Sequence, residues 1–135
     1  MTGRAVVLVA DDNEHNREYA RQVLADRWEV VLASDGLEAL ALARKGPAFV
    51  LLDVSMPGLA GNEVALRLKN DPLTASIPLV ACTAHAMRGD KEWALAHGFD
   101  GYLPKPYRPA ELVACVESFL GPSESLEDDD WALEL

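Results

Sequence analysis

Short, continuous apolar runs alternate along this chain with segments whose apolar residues recur at helical spacing. A run of four to eight apolar residues is typical of a strand that is buried on both faces of a parallel sheet. Five runs of this kind predict strands at residues 5–10, 28–33, 49–53, 79–83 and, with a weaker pattern, 101–103.

The intervening segments end at residues that stop helices. Gly46 and Pro47 follow the short apolar stripe at 37–43, and Gly98 closes the segment 88–97. A last helix is predicted to begin after Pro109 and to end at Leu120, before Gly121 and Pro122. Five strands therefore alternate with five helices.

This alternation predicts an α/β fold, a doubly wound parallel sheet with right-handed crossovers. The compact, flavodoxin-like version of the fold has five strands in the order 2-1-3-4-5. Ligands of such sheets bind beyond the carboxyl ends of the strands, at the gap between strands 1 and 3.

Composition places limits on the partners. The chain has 135 residues and a formal charge of −10, and its last 15 residues contain six acids and no base. We expect one domain over residues 1–120, no DNA partner and no membrane segment, because clustered bases and a long apolar run are missing from the sequence. A cytoplasmic protein with Cys82 and Cys115 as reduced packing residues is the resulting interpretation.

Five polar residues stand where the predicted strands end: Asp11, Asp12, Asp53, Thr83 and Lys105. Neighbouring parallel strands would bring them to one edge of the sheet. Two carboxylates about 5 Å apart repel by roughly 3 kcal/mol at an effective dielectric of 20, so three together call for a counter-charge. Mg²⁺ fits, because it prefers oxygen ligands and is usually held by one or two carboxylates and a phosphate oxygen.

Four segments, VADDNEHN, LLDVSMPGLAG, ACTAHAM and GYLPKP, resemble the signature segments of response-regulator receiver domains of two-component signalling. The resemblance covers residues 5–120. It implies that Asp53 accepts a phosphoryl group, and that Asp12, Asp53 and the backbone carbonyl of Ser55 bind Mg²⁺ directly. Asp11 would act mainly through a bound water.

The resemblance also assigns roles to residues around the acceptor. Thr83 and Lys105 would bind phosphoryl oxygens, and the Lys105–Pro106 peptide bond would be cis. Thr83 and Tyr102 would form the switch that responds to phosphorylation, although Tyr102 could equally be an ordinary half-buried strand residue. Ser55 and His85 would flank the pocket and tune hydrolysis of the acyl phosphate, or be ordinary loop residues.

These roles describe a stand-alone response regulator that is not itself an enzyme, although it assists its own phosphorylation and dephosphorylation. Its expected partners are a histidine kinase or histidine phosphotransfer protein and a downstream protein target, and it is expected to be a monomer or weak homodimer. One alternative is a pseudo-receiver that binds partners without phosphorylation. A flavodoxin-like carrier fits less well, because two acids occupy the position of a phosphate-binding loop. A haloacid-dehalogenase-like phosphatase also fits less well, because the contiguous Asp11 and Asp12 do not match its Asp-x-Asp pair.

Two features stay open at the level of sequence. Residues 121–135 predict a flexible acidic tail, or alternatively a docking or self-masking segment with apolar anchors at Trp131, Leu133 and Leu135. Trp93, on the fourth helix, could form part of a partner surface or pack inward.

Overall fold

The sheet has five parallel strands in the order β2-β1-β3-β4-β5, as the sequence predicts. The computed structural model describes residues 4–56, 59–83 and 89–122. The strands are β1 Val6–Ala10, β2 Glu29–Ala33, β3 Phe49–Asp53, β4 Leu79–Thr83 and β5 Gly101–Pro104. Each differs from its predicted range by no more than one residue at either end.

Five helices connect or follow the strands: α1 Glu14–Leu24, α2 Gly36–Ala43, α3 Gly61–Lys69, α4 Asp90–Ala96 and α5 Pro109–Leu120. Asn13 caps α1 by accepting a hydrogen bond from the Asn16 N–H at 3.0 Å. Gly98 ends the fourth helical segment in the left-handed region, with φ +93°, as expected for a glycine that stops a helix. No helix in the described part of the chain is both long and apolar enough to cross a bilayer.

The sheet separates two hydrophobic cores, because successive residues of a strand point to opposite faces. Phe49 and Leu51 of β3 enter the core covered by α1 and α5, whereas Val50 and Leu52 enter the core covered by α2, α3 and α4. All four are 2% exposed or less. The central strand is thus held from both sides, which makes its carboxyl end a rigid position.

The strand register brings the polar residues to one edge. Ala10 of β1 lies beside Leu52 of β3, and Asp53 lies beside Cys82 of β4. At the far side Thr83 pairs with Pro104, the residue before Lys105. The carboxyl ends of β1, β3, β4 and β5 therefore meet, as the strand order requires.

Candidate functional site

Three carboxylates cluster at this edge of the sheet. Asp11 directly follows β1 and Asp53 is the last residue of β3, and both side chains are almost fully buried. Asp12 is exposed and makes no hydrogen bond or ion pair with the described residues. One oxygen from each carboxylate lies within 4.8 Å of the others.

Short backbone turns orient the two buried carboxylates. Asp11 Oδ1 accepts a hydrogen bond from the Asn13 N–H at 2.9 Å. Asp53 Oδ1 accepts one from the Ser55 N–H at 2.9 Å and one from the Ser55 hydroxyl at 3.1 Å. In each case the aspartate bonds the backbone two residues on, which is a common local use of this side chain.

Lys105 forms hydrogen bonds to the Oδ2 atoms of Asp11 and Asp53. Its ammonium donates to Asp11 Oδ2 at 2.6 Å and to Asp53 Oδ2 at 3.0 Å. Burial alone would lower the pKa of Lys105, but the hydrogen bonds and the attraction of both carboxylates outweigh it and raise that pKa. The lysine is therefore charged at neutral pH and partly compensates the repulsion between the acids. The Lys105–Pro106 peptide bond is cis.

The acid cluster suits a hard divalent cation. Carboxylate oxygens are the ligands that Mg²⁺ prefers, and one of the three carboxylates is open to solvent and unpaired. One ammonium cannot neutralise three carboxylates, so the cluster keeps a net negative charge that a bound cation would compensate. Asp11, Asp12 and Asp53 are the residues that could hold Mg²⁺.

Thr83 and Tyr102 both line a cavity of about 210 Å³. The Tyr102 hydroxyl is buried and has no hydrogen-bond partner among the described residues. Burial raises the pKa of Tyr102, and the neighbouring Asp90 carboxylate raises it further. Tyr102 thus points inward, toward the cavity that it shares with Thr83.

Trp93 of α4 also lines this cavity. Its ring stacks on His97 with centroids 4.4 Å apart and contacts Phe99, yet 38% of the residue is exposed. Trp93 thus packs partly inward and stays partly exposed, and its role in a partner surface remains a prediction. His85, a predicted tuning residue, lies outside the described residues.

Two residues near the site were not predicted. Arg17 donates to the Asp11 carbonyl oxygen at 2.9 Å, and the Tyr19 hydroxyl donates to the Tyr107 carbonyl oxygen at 3.1 Å. Both side chains come from α1. No pattern of neighbouring residues could reveal the second contact, because its partners lie 88 positions apart.

The fold is an α/β sheet with an acidic cluster at the carboxyl ends of its strands, and comparison with known proteins identifies its family. The family model described as the response regulator receiver domain matches residues 7–117. The chain belongs to this family.

Relatives agree with the assignment. The polar-differentiation response regulator DivK of Brucella anthropi is 37% identical over 117 residues, which cover 85% of this chain and 95% of that protein. The chemotaxis protein CheY4 of Vibrio cholerae has a similar structure, with a TM-score of 0.80 and 30% identity over 87% of this chain and 99% of the other. A further neighbour is the receiver domain of the sensor histidine kinase PA1611 from Pseudomonas aeruginosa, solved with a magnesium ion coordinated in the active site cleft. It has a TM-score of 0.78 and 28% identity, over 89% of this chain and all of that one.

Proposed function

We propose that this protein is a stand-alone response regulator that accepts a phosphoryl group on Asp53. The observation that carries the proposal is the position of the Asp53 carboxylate. It ends the central strand, is oriented by Ser55, and lies 3.0 Å from a lysine ammonium. Carboxylates are established nucleophiles in covalent phosphoryl transfer. The donor is a phosphohistidine of a histidine kinase or of a histidine phosphotransfer protein.

In the transfer step, an Asp53 carboxylate oxygen attacks the phosphorus atom of the phosphohistidine. The new P–O bond forms as the P–N bond breaks, and the leaving imidazole nitrogen takes a proton from solvent. Phosphoryl transfer passes through a loose transition state, so the protein must mainly position the groups and place positive charge at the equatorial oxygens. Lys105 supplies one such charge, and Thr83 supplies a hydroxyl.

Asp11, Asp12 and Asp53, with the Ser55 carbonyl, are the groups assigned to Mg²⁺. When bound, the cation supplies further positive charge at the transferring phosphoryl group. The acids also position Lys105. Because its ammonium already pairs with Asp11, Lys105 is held at this edge of the sheet before any phosphoryl donor arrives.

We further propose that Thr83 and Tyr102 transmit the phosphorylated state to a downstream protein target. Their shared cavity supports this role, because space beside Tyr102 allows the Thr83 end of β4 to move. The chain would act through phosphorylation-dependent binding in the cytoplasm, with residues 1–120 as the signalling domain and residues 121–135 as a tail. It would assist its own phosphorylation and dephosphorylation without acting on another substrate.

Mass spectrometry tests the acceptor directly. The wild type, incubated with Mg²⁺ and phosphoramidate as a small phosphoryl donor, should gain one phosphoryl group that maps to Asp53. Asp53→Asn should gain none and should stay folded, because asparagine keeps the Oδ1 acceptor of the Ser55 turn while one repelling charge is removed.

Asp71→Asn is the matched control, since it removes a carboxylate from a surface loop and should leave phosphorylation unchanged. Full phosphorylation of Asp53→Asn would show that another residue is the acceptor. An unmodified wild type that binds the same partners with and without a phosphoryl donor would favour the pseudo-receiver.

A further inference from the structure

Tyr19 of α1 makes a long-range contact to the segment that follows β5. Its hydroxyl donates to the Tyr107 carbonyl oxygen at 3.1 Å. The rings of the two tyrosines also touch, with centroids 5.8 Å apart and an interplanar angle of 40°. Tyr107 is two residues beyond Lys105, so this contact bears on the position of the lysine.

Hydrogen bonds from its own backbone N–H groups hold the segment 105–108 at both ends. The Lys105 N–H donates to the Thr83 carbonyl oxygen at 2.9 Å, and the Arg108 N–H donates to the Glu111 carboxylate at 2.8 Å, where α5 begins. Between these points Tyr19 ties the segment to α1. The Tyr19 hydrogen bond joins the segment to a different element, α1. The hydrogen bonds of Lys105 and Arg108 only extend β5 and begin α5.

The segment faces solvent on the α1 side. A surface pocket of about 510 Å³ lies there, lined by Asn16, Tyr19, Lys105, Pro106 and Tyr107. Side chains at the wall of an open pocket have fewer packing partners than side chains in a filled core. The hydrogen bond from Tyr19 therefore adds a restraint on the side of the segment where packing is incomplete.

Helix α1 also holds the carboxylate partner of the lysine. Arg17 donates to the Asp11 carbonyl oxygen at 2.9 Å, two residues before Tyr19 on the same helix. Asp11 Oδ2 is the closer of the two acceptors of the Lys105 ammonium. The helix is thus bonded to the backbone on both sides of the Lys105–Asp11 ion pair.

We propose that Tyr19 is a positioning residue for phosphorylation, which holds the Lys105 segment against α1 so that the ammonium stays at the acceptor. The proposal rests on the proposed function, since it assigns Lys105 to the phosphoryl group. Tyr19 touches neither the acids nor the donor. Its effect should therefore pass entirely through Lys105.

The test compares maximal rates of Asp53 phosphorylation by phosphoramidate in saturating Mg²⁺. Tyr19→Phe keeps the ring contact and removes only the hydroxyl, so it should lower the maximal rate by about three- to tenfold, the factor expected from one net hydrogen bond. The Mg²⁺ concentration for half-maximal rate should not change. In a Lys105→Ala background, Tyr19→Phe should lower the residual rate no further, because residues that act as a unit are not additive.

Ser118→Ala is the matched control, since it also removes a hydroxyl that donates to a backbone carbonyl, at 2.6 Å, on the surface of α5. It should phosphorylate at the wild-type rate. A wild-type rate for Tyr19→Phe would reject the positioning role, and so would an equal loss in both backgrounds, which is the sign of a general structural effect. A wild type that is never phosphorylated would reject the proposed function and this role together.

Discussion

Asp11 and Asp53 use their two carboxylate oxygens differently. In each residue Oδ1 closes a backbone turn, while Oδ2 accepts from the Lys105 ammonium. The turn fixes the direction of the side chain, so the second oxygen is presented at a defined position. Asp12 has neither restraint and faces solvent. At the residue scale, the site therefore combines two oriented acids with one that is open to an incoming cation.

Asp12→Ala should remove most of the stabilisation that Mg²⁺ gives the protein. A ligand that binds only the folded state raises the free energy of unfolding by about 2.7 kcal/mol at a hundred times its dissociation constant. For the wild type this should raise the melting temperature by several degrees. Thermal melts of both proteins over a Mg²⁺ titration measure the difference.

Glu14→Gln serves as the control for that titration, because Glu14 is an acid in the first turn of α1 outside the carboxylate cluster. Its response to Mg²⁺ should match the wild type. If Asp12→Ala gained as much stability from Mg²⁺ as the wild type, the cation would bind elsewhere.

At the scale of elements, residues of α4, β4 and β5 line the cavity that Thr83 shares with Tyr102. Trp93 also lines this cavity, so its fluorescence should respond to changes there. Of the two other tryptophans, Trp28 is buried in the core beneath α1 and α5, and Trp131 is outside the described residues. A rearrangement of the cavity should consequently appear as a change in Trp93 emission.

Phosphorylation with phosphoramidate and Mg²⁺ should change the tryptophan fluorescence of the wild type. Thr83→Ala should still gain the phosphoryl group by mass, but should lose most of the fluorescence change, because the hydroxyl that follows the phosphoryl group is gone. Trp93→Phe identifies the reporter, since it should be phosphorylated without a change in emission. A full fluorescence change in Thr83→Ala would exclude Thr83 from the switch.

At the scale of the whole molecule, α5 is the last element of the described chain. It closes the core that it shares with α1, and Gly121 ends that helix with φ +85°. Residues 123–135 lie outside the described part of the chain. Their few apolar residues cannot offset an ordering entropy of about 1–2 kcal/mol per residue, so the sequence still predicts a flexible tail.

A chain that ends at Leu120 should melt within a few degrees of the 135-residue chain and should be phosphorylated at the same rate. If the tail modulates binding, truncation should change the affinity for kinase or target at low salt, and the change should shrink at high salt. Calorimetric melts and binding isotherms at two salt concentrations measure both properties.

The matched control is the 135-residue chain with the four acids at 127–130 replaced by their amides, since it separates charge from the apolar anchors. Failure of the shortened chain to fold would show that the tail is structural. Unchanged affinities at low salt would show that it has no part in binding.

Sequence alone predicted the sheet, its order and the grouping of the polar strand ends. The elements follow from the continuous apolar runs of strands and the helical spacing of apolar residues between them. The grouping follows from the rule that the carboxyl ends of parallel strands meet at one edge of the sheet, which brings Asp53 and Lys105 together. The contact between Tyr19 and Tyr107 was beyond prediction, because it depends on how closely α1 packs on the segment after β5. The half-exposed state of Trp93 was likewise undecidable, since it depends on whether His97 and Phe99 cover the ring.

The edge of the sheet carries a formal charge of −2, from three carboxylates and one ammonium. One divalent cation would cancel this charge, whereas a single monovalent cation would leave half of it. Two monovalent cations would have to share a space in which like charges about 5 Å apart repel by roughly 3 kcal/mol. A cation site here would therefore discriminate between ions by valence before it discriminates by size, and potassium should compete poorly for it even at high concentration.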